Sequence, residues 1–377
     1  MELKRLSLKY FRNYGALAFE PGPGVNLLLG SNAQGKTNLL EAIYYLSTFS
    51  SPRTHMDSEL VQWGEPSFYL QGSFQIKGNP LLLEVGYDSS QARKEIRLNR
   101  KILQQAAAVG TVNTVLFTPE DLYLVKGYPQ VRRQFLDREI VQVNPRYGQC
   151  LSRYTKILRQ RNRLLRDAAA ASRRAAPPVD VWDLQMADMA AYILFARKEY
   201  VKKLSLLARL QHRKLTAGRE DLHLSYASSL EKLQGEVEFS RDIIREHFLA
   251  ALKEREAEER RRGVTLVGPH RDDLNICINQ RQARTYGSQG QQRTSVLSLK
   301  LAQVELIFGE RGNYPLLLLD DVFSELDRER QRSLLGLIRG RVQTFISGTG
   351  DALVKEKTLQ EGTFYHISEG RAYPWKS

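Results

Sequence analysis

The sequence is poor in cysteine and has no long hydrophobic run. Only two cysteines, Cys150 and Cys277, occur among the 377 residues, and they stand far apart in the sequence. Two isolated thiols exclude a disulfide framework and a cysteine-based zinc site. No apolar run approaches the roughly 18 residues that a membrane span requires, and residues 1–4 do not begin the apolar core of a signal peptide. We therefore expect a cytoplasmic protein without a membrane partner.

Acidic residues are also in short supply relative to basic ones. The chain has 42 Asp plus Glu against 56 Lys plus Arg, so its formal net charge is +14. Such an excess indicates nucleic acid, an anionic membrane surface or merely a basic soluble surface. Apolar residues make up 42% of the chain, which excludes disorder as its global state. The length suggests about two domains.

The pattern of elements changes twice along the chain. Residues 1–125 are predicted to form mainly strands around one strong helix, and residues 126–262 show long helical periodicity with an Ala/Ser/Arg-rich turn at 168–178. This order predicts an α/β head formed by residues 1–125 and 263–377, interrupted by an antiparallel helical arm at 126–262. After the arm, strands are predicted at 264–267, 274–278, 316–319 and 344–346.

A phosphate-binding loop follows the predicted strand at 25–29 and precedes an amphipathic helix. Its residues fit G-x-x-x-x-G-K-[ST], a pattern whose backbone amides and helix N-terminus bind phosphate groups. We expect the lysine to reach the β- and γ-phosphates of ATP and the threonine to bind Mg²⁺. The predicted ATP-binding residues are Gly30, Ser31, Asn32, Ala33, Gln34, Gly35, Lys36 and Thr37.

Two acidic residues end the apolar strand at 316–319. Asp320 is the predicted second magnesium ligand beside Thr37, and Asp321 is predicted to polarise the attacking water. With Lys36 they form the predicted catalytic set. The phosphate loop and these acids lie much further apart than one βαβ unit of roughly 30 residues. A large insertion between them is therefore required, and the helical arm supplies it.

A third nucleotide element begins the helix predicted from residue 289. The signature segment, Ser288, Gln289, Gly290 and Gln291, fits the S-x-G-Q pattern of ABC-type ATPases. Segment 324–327, with Ser324 and Asp327, fits the D-loop of the same superfamily. Four elements in this order predict an ABC-type, SMC-like P-loop ATPase head.

Further strings resemble a narrower family, the bacterial RecF family of DNA-repair proteins, which are short-armed relatives of the SMC ATPases. They include Phe11-Arg12-Asn13-Tyr14, Arg132-Arg133-Gln134-Phe135-Leu136-Asp137 and Val267-Gly268-Pro269-His270-Arg271-Asp272-Asp273-Leu274. The last string resembles a RecF signature rather than a general ATPase feature. The resemblance spans nearly the whole chain.

This resemblance implies an ATP-dependent homodimer with slow ATP hydrolysis. In the family, each ATP lies between the phosphate loop of one subunit and the signature segment of the other. Ser288 and Gly290 would then contact the γ-phosphate bound at the partner's Lys36, with Asp327 at the dimer interface. By the same analogy, Arg12 would approach the nucleotide.

The resemblance also implies DNA binding at gaps or single-strand/double-strand junctions, together with RecO and RecR, to help load RecA. The expected roles are DNA repair, replication maintenance and the SOS response, in the cytoplasm and at the nucleoid when bound to DNA.

The positive charge is concentrated in the predicted arm. Residues 126–262 carry 29 basic and 18 acidic side chains, a net charge of +11, which leaves +3 for the rest of the chain. At about 100° per residue, one broad helix face collects five cations opposite an apolar face. Such a face suits the phosphate backbone of DNA without sequence reading. These candidate DNA-binding residues are Arg153, Lys156, Arg159, Arg163 and Arg166.

Alternatives remain open at this stage. Arg53 and residues 93–100 of the head offer a second basic surface. A transporter ATPase subunit shares the nucleotide motifs, although Thr349 stands where transporters place a histidine. An SMC-type structural chromosome protein is disfavoured because even a 40-residue helix spans only about 60 Å.

Overall fold

The computed structural model describes residues 1–170, 180–230, 240–349 and 362–375. The chain divides into two compact units, each assembled from more than one segment. The first unit comprises Met1–Leu122, Leu207–Asp221 and Gln289–Ser377, and the second comprises Tyr123–Leu206 and Leu222–Ser288. Within the described part of the chain, no helix is both long and apolar enough to cross a membrane.

The described strands, in chain order, are β1 Glu2–Phe11, β2 Tyr14–Phe19, β3 Val25–Leu29, β4 Ser67–Ile76, β5 Asn79–Asp88, β6 Arg93–Leu98, β7 Lys101–Leu103, β8 Thr114–Phe117, β9 Leu222–Ala227, β10 Asp273–Ile278, β11 Arg281–Gln282, β12 Leu316–Leu319, β13 Thr344–Gly348, β14 Thr363–Ser368 and β15 Arg371–Pro374. The described helices are α1 Lys36–Thr48, α2 Gln105–Ala108, α3 Tyr123–Lys126, α4 Pro129–Val143, α5 Pro145–Ala170, α6 Asp180–Leu215, α7 Arg241–Arg262, α8 Ala283–Tyr286, α9 Gln289–Arg311 and α10 Arg328–Ile338.

The first unit contains an antiparallel sheet with the order β2-β1-β4-β5-β6-β7. Its strands alternate buried apolar and exposed polar residues, which is typical of a sheet with one face on the core. Leu6, Phe68 and Leu70 on this sheet join Ile43 and Leu46 of α1 in one hydrophobic cluster. The helical spacing of apolar residues in α1 and the alternation in β4 therefore meet in the same core.

A second sheet of the first unit has the order β15-β14-β3-β13-β12-β8. Its pairings are parallel from β14 to β8, and β15 pairs antiparallel with β14 at the edge. All four residues of β12 are buried, as expected for a strand covered on both faces. Leu319 lies opposite both Ile346 of β13 and Phe117 of β8. The carboxyl ends of these strands consequently meet at one edge.

The second unit combines helices α4, α5 and α7 with most of α6 and a small antiparallel sheet, β11-β10-β9. Arg161 of α5 contacts Asp183 of α6 at 2.6 Å and Glu259 of α7 at 2.6 Å. Asn144, just before α5, contacts Tyr192 of α6. Successive long helices therefore alternate in direction, as predicted for an antiparallel arm. The turn predicted at 168–178 falls largely outside the described residues.

The string at residues 267–274, which carried much of the family resemblance, forms a structural turn in the second unit. His270 Nδ1 lies 2.7 Å from the Tyr154 hydroxyl, and its Nε2 lies 3.1 Å from the Thr265 carbonyl oxygen. Burial lowers the pKa of His270 to about 4, so the ring is neutral at physiological pH. Asp272 accepts from the Tyr226 hydroxyl and from the backbone N–H of Ser229. The string thus ties α5 to the small sheet.

Two expectations from the sequence differ from the structure. Segment 264–267 is not a strand, because the hydrogen bonds of Thr265 go to side chains. Its backbone N–H and its hydroxyl donate to Asn162 Oδ1, and its carbonyl oxygen bonds the side chains of His270 and Arg271. The boundaries of the units also differ from 126–262. Residues 263–288 belong to the second unit, where β10 pairs with β9, and Leu207–Asp221 belongs to the first, where His212 bonds Ser298 of α9.

The buried ion pair of Arg161 with Glu259 yields a stability prediction. Both side chains are 0% exposed, so replacing Arg161 by leucine leaves a buried carboxylate without its cation. We expect Arg161→Leu to lower the free energy of unfolding by about 3–5 kcal/mol, measured from the urea transition by far-UV circular dichroism.

Arg163 on the same helix provides the matched control. Its side chain is 82% exposed and lies 4.0 Å from Asp167, so Arg163→Ala should change the unfolding free energy by less than about 0.5 kcal/mol. Equal urea midpoints for the two variants would contradict the structural role of Arg161.

Candidate nucleotide-binding site

The parallel sheet places its functional residues at one edge because each follows the carboxyl end of a strand. Gly30 follows β3, Thr118 follows β8, Asp320 follows β12, and Ser347 lies at the end of β13. Ligands in α/β proteins bind at such an edge, outside the carboxyl ends of the strands. The edge opens into a cavity of about 790 Å³. Its lining includes Asn32, Ala33, Gly35, Lys36, Thr37, Asn38, Glu41, Arg53, Thr118, Glu120, Asp320, Asp321, Ser347 and Thr349.

The phosphate loop, residues 30–37, is held from behind by the turn between β1 and β2. The Tyr14 hydroxyl donates to the Gly35 carbonyl at 3.0 Å, and Asn13 Nδ2 donates to the Gln34 carbonyl at 3.2 Å. Gly35 has φ of +112°, and a Cβ there would stand 2.7 Å from Asn13 Nδ2. Both the backbone angle and the close approach require glycine. The string at residues 11–14 therefore fixes the shape of the loop.

Asp320 is the centre of a hydrogen-bonded group that joins three chain segments. Its Oδ1 accepts from Thr37 Oγ1 at 3.0 Å and from Ser347 Oγ at 2.6 Å. Burial raises the pKa of Asp320, and the hydrogen bonds from Ser347 and Thr37 act in the opposite direction. The sequence predicted Thr37 and Asp320 as partners, and the structure brings them together. Ser347 was missed, because a serine at a strand end carries no distinctive signal.

Lys36 lies over the phosphate loop. Its ammonium donates to the carbonyls of Gly30 at 2.6 Å and Ser31 at 2.7 Å. Burial lowers the pKa of Lys36, while the charges of Asp321 and Asp320 oppose that shift. The ammonium is thus held among oxygen atoms on the cavity side of the loop, close to both acids.

Asp321 has the left-handed backbone conformation, with φ of +52° and ψ of +23°, and precedes the turn Val322–Glu325. Its backbone N–H donates to Ser347 Oγ at 2.9 Å. Ser347 thereby accepts from one acid's backbone and donates to the other acid's side chain. Ser347 thus binds the two neighbouring acids through different groups. The residues also differ in exposure, since Asp321 is exposed and Asp320 is buried.

Arg12 forms an ion pair with an acidic side chain and is not among the residues that line the cavity. Its guanidinium donates to both oxygens of Glu41, at 2.9 and 2.8 Å, and to the Glu59 carbonyl. Glu41 is only 1% exposed and also accepts from Ser51 Oγ at 2.5 Å. In this network Glu41 and Arg53 line the cavity, and Arg53 Nη1 donates to Asn38 Oδ1 at 3.0 Å. Arg12 therefore supports the wall that Arg53 and Asn38 form.

Sequence reasoning missed several cavity residues. Glu120 and Thr118 follow a short strand whose pattern predicts no function, and Glu41 lies within the apolar periodicity of α1. Asn38 directly follows the phosphate-loop motif and is the only one of these that the motif's position indicates. Thr118 and Glu120 reach the cavity through the register of β8 in the sheet, and Glu41 reaches it from helix α1.

The signature segment heads α9, and the structure places it beside the D-loop segment. Ser288 and Gln289 are exposed, while Gly290 and Gln291 are half-buried. Gln291 Nε2 donates to Glu220 at 3.2 Å, and a Cβ on Gly290 would stand 3.8 Å from Arg330 Nη1. Asp327 caps α10 by accepting from the Arg330 backbone N–H at 2.9 Å. Ser324 lies in the turn Val322–Glu325, and its side chain is outside the described part of the structure.

The five candidate DNA-binding residues of α5 are all exposed. They share this helix with the buried Arg161, whose pKa the carboxylates of Asp183 and Glu259 raise against the effect of burial. With the boundaries of the structure, the second unit carries 28 basic and 18 acidic side chains, a net charge of +10, against +4 for the first. The charge asymmetry predicted from the sequence therefore persists with the corrected boundaries.

Comparisons with known proteins identify the family of the chain. The profile of the RecF/RecN/SMC N-terminal domain family matches residues 2–366. The DNA replication and repair protein RecF of Halalkalibacterium halodurans is 44% identical over 371 residues, covering 98% of this chain and 98% of that protein. RecF of Bacillus cereus is 42% identical over 373 residues, with the same coverage.

Solved structures give the same answer for the fold. A structure described as the recombination mediator protein RecF with ATP in the RecFOR pathway is similar with a TM-score of 0.89, at 33% identity over 100% of this chain and 98% of that one. An SMC head bound to the C-winged helix domain of ScpA is similar in fold alone, with a TM-score of 0.56 at 14% identity. Together, the matched profile, the curated relatives and the fold show that this chain belongs to the RecF family of DNA replication and repair proteins.

Proposed function

We propose that the protein is an ATP-controlled DNA-binding recombination mediator. The observation that carries the proposal is the group formed by Thr37, Asp320 and Ser347 beside the phosphate loop. The RecF structure with ATP, similar over the whole chain, supports ATP as the nucleotide. The cavity of about 790 Å³ is large enough for a nucleoside triphosphate.

The residues at the cavity fit a magnesium ion. Thr37 Oγ1 and Asp320 Oδ1, 3.0 Å apart, are the hard oxygen ligands that Mg²⁺ prefers, and they would hold it. When bound, the ion would neutralise charge on the β- and γ-phosphates. Lys36 and the amides of the loop orient the phosphates, and the exposed carboxylate of Asp321 is placed to accept a proton from water. The shorter reach of an aspartate than of a glutamate suits slow hydrolysis.

The signature segment supports a switch in which two copies share the nucleotide. Ser288 and Gln289 are exposed on one copy, and each bound ATP would be completed by the signature segment of a second copy. Hydrolysis removes the group that both copies contact, so it loosens the dimer. Few ATP turnovers are then enough to control DNA binding by the dimer.

We propose that the dimer binds double-stranded and gapped DNA through the exposed cations of α5. Their spacing along one helix suits phosphate contacts that do not depend on base sequence. The RecF structures are described as belonging to the RecFOR pathway, which supports RecO and RecR as partners. RecA loading at single-strand gaps, in the cytoplasm and at the nucleoid, completes the proposed role.

Two variants separate nucleotide binding from dimer formation. Lys36→Ala removes a charged donor, so ATP affinity should fall about 10- to 150-fold. Ser288→Arg leaves the phosphate loop intact, so ATP affinity should persist while ATP-dependent dimerisation is lost. Fluorescent-nucleotide titration and analytical ultracentrifugation measure the two steps. Unchanged dimerisation in both variants would refute the shared-nucleotide mechanism.

Asp321→Asn tests the hydrolytic role. Asparagine tolerates the left-handed backbone at this position, so the turn should survive while the proton acceptor is removed. We expect ATP hydrolysis to fall roughly 100-fold, and the ATP-dependent dimer to last longer, in phosphate-release and ultracentrifugation measurements. A variant that hydrolyses ATP at the wild-type rate would remove Asp321 from the mechanism.

Reversing charge on α5 tests the DNA surface. The double change Arg159→Glu and Arg163→Glu should weaken duplex binding and lower the salt slope by about 0.9 for each DNA phosphate that is no longer neutralised. The matched control is Arg93→Glu with Arg100→Glu, two exposed cations of the first unit. An unchanged slope for the α5 pair and a reduced one for the control would move the DNA surface to the head. Filter binding at several salt concentrations gives both slopes.

A further inference from the structure

The end of α6 and the residues after it form a hairpin in the first unit, Leu207–Asp221, which no sequence motif predicts. Helix α6 ends at Leu215, and the chain reverses through Ala217 and Gly218, both with positive φ. The returning segment of this hairpin brings Glu220 back to His212, eight residues earlier in the chain. The hairpin thereby presents a histidine and a carboxylate to α9, the helix that the signature segment begins.

His212 is fully buried and contacts two polar partners. Its Nδ1 lies 3.0 Å from Ser298 Oγ on α9, and its Nε2 lies 3.0 Å from Glu220 Oε2. The other oxygen of Glu220 accepts from Gln291 Nε2 at 3.2 Å. Gln291 and Ser298 are seven residues apart on α9, so they lie on one helix face. The hairpin therefore holds the signature helix at two points, one of them inside the signature segment.

The protons of this group can be assigned by counting donors. Burial and the charge of Arg330 lower the pKa of His212, while Glu220 opposes that shift. In the neutral ring, Nε2–H donates to the Glu220 carboxylate, which accepts only. Nδ1 then accepts from the Ser298 hydroxyl, which turns toward it from the Thr294 carbonyl, 2.7 Å away. Glu220 then accepts one bond from the hairpin and one from the signature segment. Its carboxylate is the link between the two.

The same hairpin borders the D-loop. A cleft of about 300 Å³ is lined by Thr216, Arg219 and Glu220 from the hairpin and by Asp327, Glu329 and Arg330 from α10 and its cap. Arg330 donates to Asp327 Oδ2 at 2.7 Å and is the nearest side chain to a Cβ placed on Gly290. The hairpin, the signature segment and the D-loop thus form one polar cluster.

We infer that His212 and Glu220 are positioning residues that hold the signature segment in the orientation needed to contact the ATP of a second copy. This inference rests on the proposed function, in which the signature segment completes the partner's nucleotide site. Neither residue is among those that line the nucleotide cavity. They act through Gln291 and the first turns of α9.

Two substitutions at one position test the inference. Glu220→Ala removes both bonds, so the dimer formed with ATP should weaken at least tenfold while ATP affinity of the single copy changes less than about twofold. Glu220→Gln keeps both bonds if the imidazole changes tautomer: the amide oxygen accepts from Gln291, the amide N–H donates to Nε2, and Nδ1–H donates to Ser298. Ser298 then donates to the Thr294 carbonyl, 2.7 Å away. We expect Glu220→Gln to restore dimerisation to within about threefold of wild type.

Asp221→Ala is the matched control, because the side chain of this neighbour in the same hairpin is 46% exposed and pairs with Arg209. It should dimerise like the wild type. Analytical ultracentrifugation with ATP gives the dimer affinities, nucleotide titration gives ATP affinity, and urea transitions verify that all variants are folded.

Each outcome decides the inference. Undiminished dimerisation in Glu220→Ala overturns it, and so does a Glu220→Gln variant as weak as the alanine. Equal losses of ATP affinity and dimer affinity would show a general structural effect and overturn it as well. A wild-type chain that stays monomeric with ATP would overturn the proposed function, and the inference with it. Failure of the inference alone is recognised because the wild-type chain then still dimerises with ATP.

Discussion

The hydrogen bond between Thr37 and Asp320 joins positions 283 residues apart in the sequence, and the candidate nucleotide site depends on it. It forms only because β13 pairs in parallel with both β3 and β12, which aligns their carboxyl ends. A slip of one residue in β12 would move Asp320 by about 3.3 Å and turn its side chain to the other face. Ser347 reinforces the register because it bonds the backbone of Asp321 and the side chain of Asp320. The chemistry of the edge is thus a property of the whole sheet.

Local motifs account for the part of the site that could be predicted. The phosphate loop, Asp320 and the signature segment each follow or precede an element whose hydrophobic period is unambiguous, so their positions in the fold could be read from the sequence. Ser347, Glu120 and the Glu41 that holds Arg12 became neighbours through register and packing, which no local pattern contains. For the same reason the boundaries predicted for the arm, 126–262, differ from those of the second unit. The pairing of β9 with β10 joins segments that helical periodicity separates.

The arginines of α5 show how one residue type acquires opposite roles on a single helix. Arg161 lies three residues after Leu158 and four before Leu165, so it falls on the apolar stripe, and this spacing was a signal for burial. Two carboxylates meet it there. Arg159 and Arg163, about 160–200° away on the helix, face solvent. A net charge therefore says little until the paired cations are separated from the exposed ones.

The proposed site, completed by a second copy, has conflicting requirements, because its contact residues must be exposed and yet hold one orientation. Ser288 and Gln289 meet the first requirement, since both are exposed. The residues that follow meet the second, since α9 is buried from Gln292 to Ile307 except at Arg293 and Glu305, which are partly exposed. Gln291 lies at the boundary between the two, and the carboxylate of Glu220 fixes it. Hydrogen bonds from the hairpin reach the turns of α9 that follow the contact residues. They can therefore order the signature segment while Ser288 and Gln289 stay exposed. The hairpin at the end of α6 is therefore placed where a contact surface for a second copy needs support.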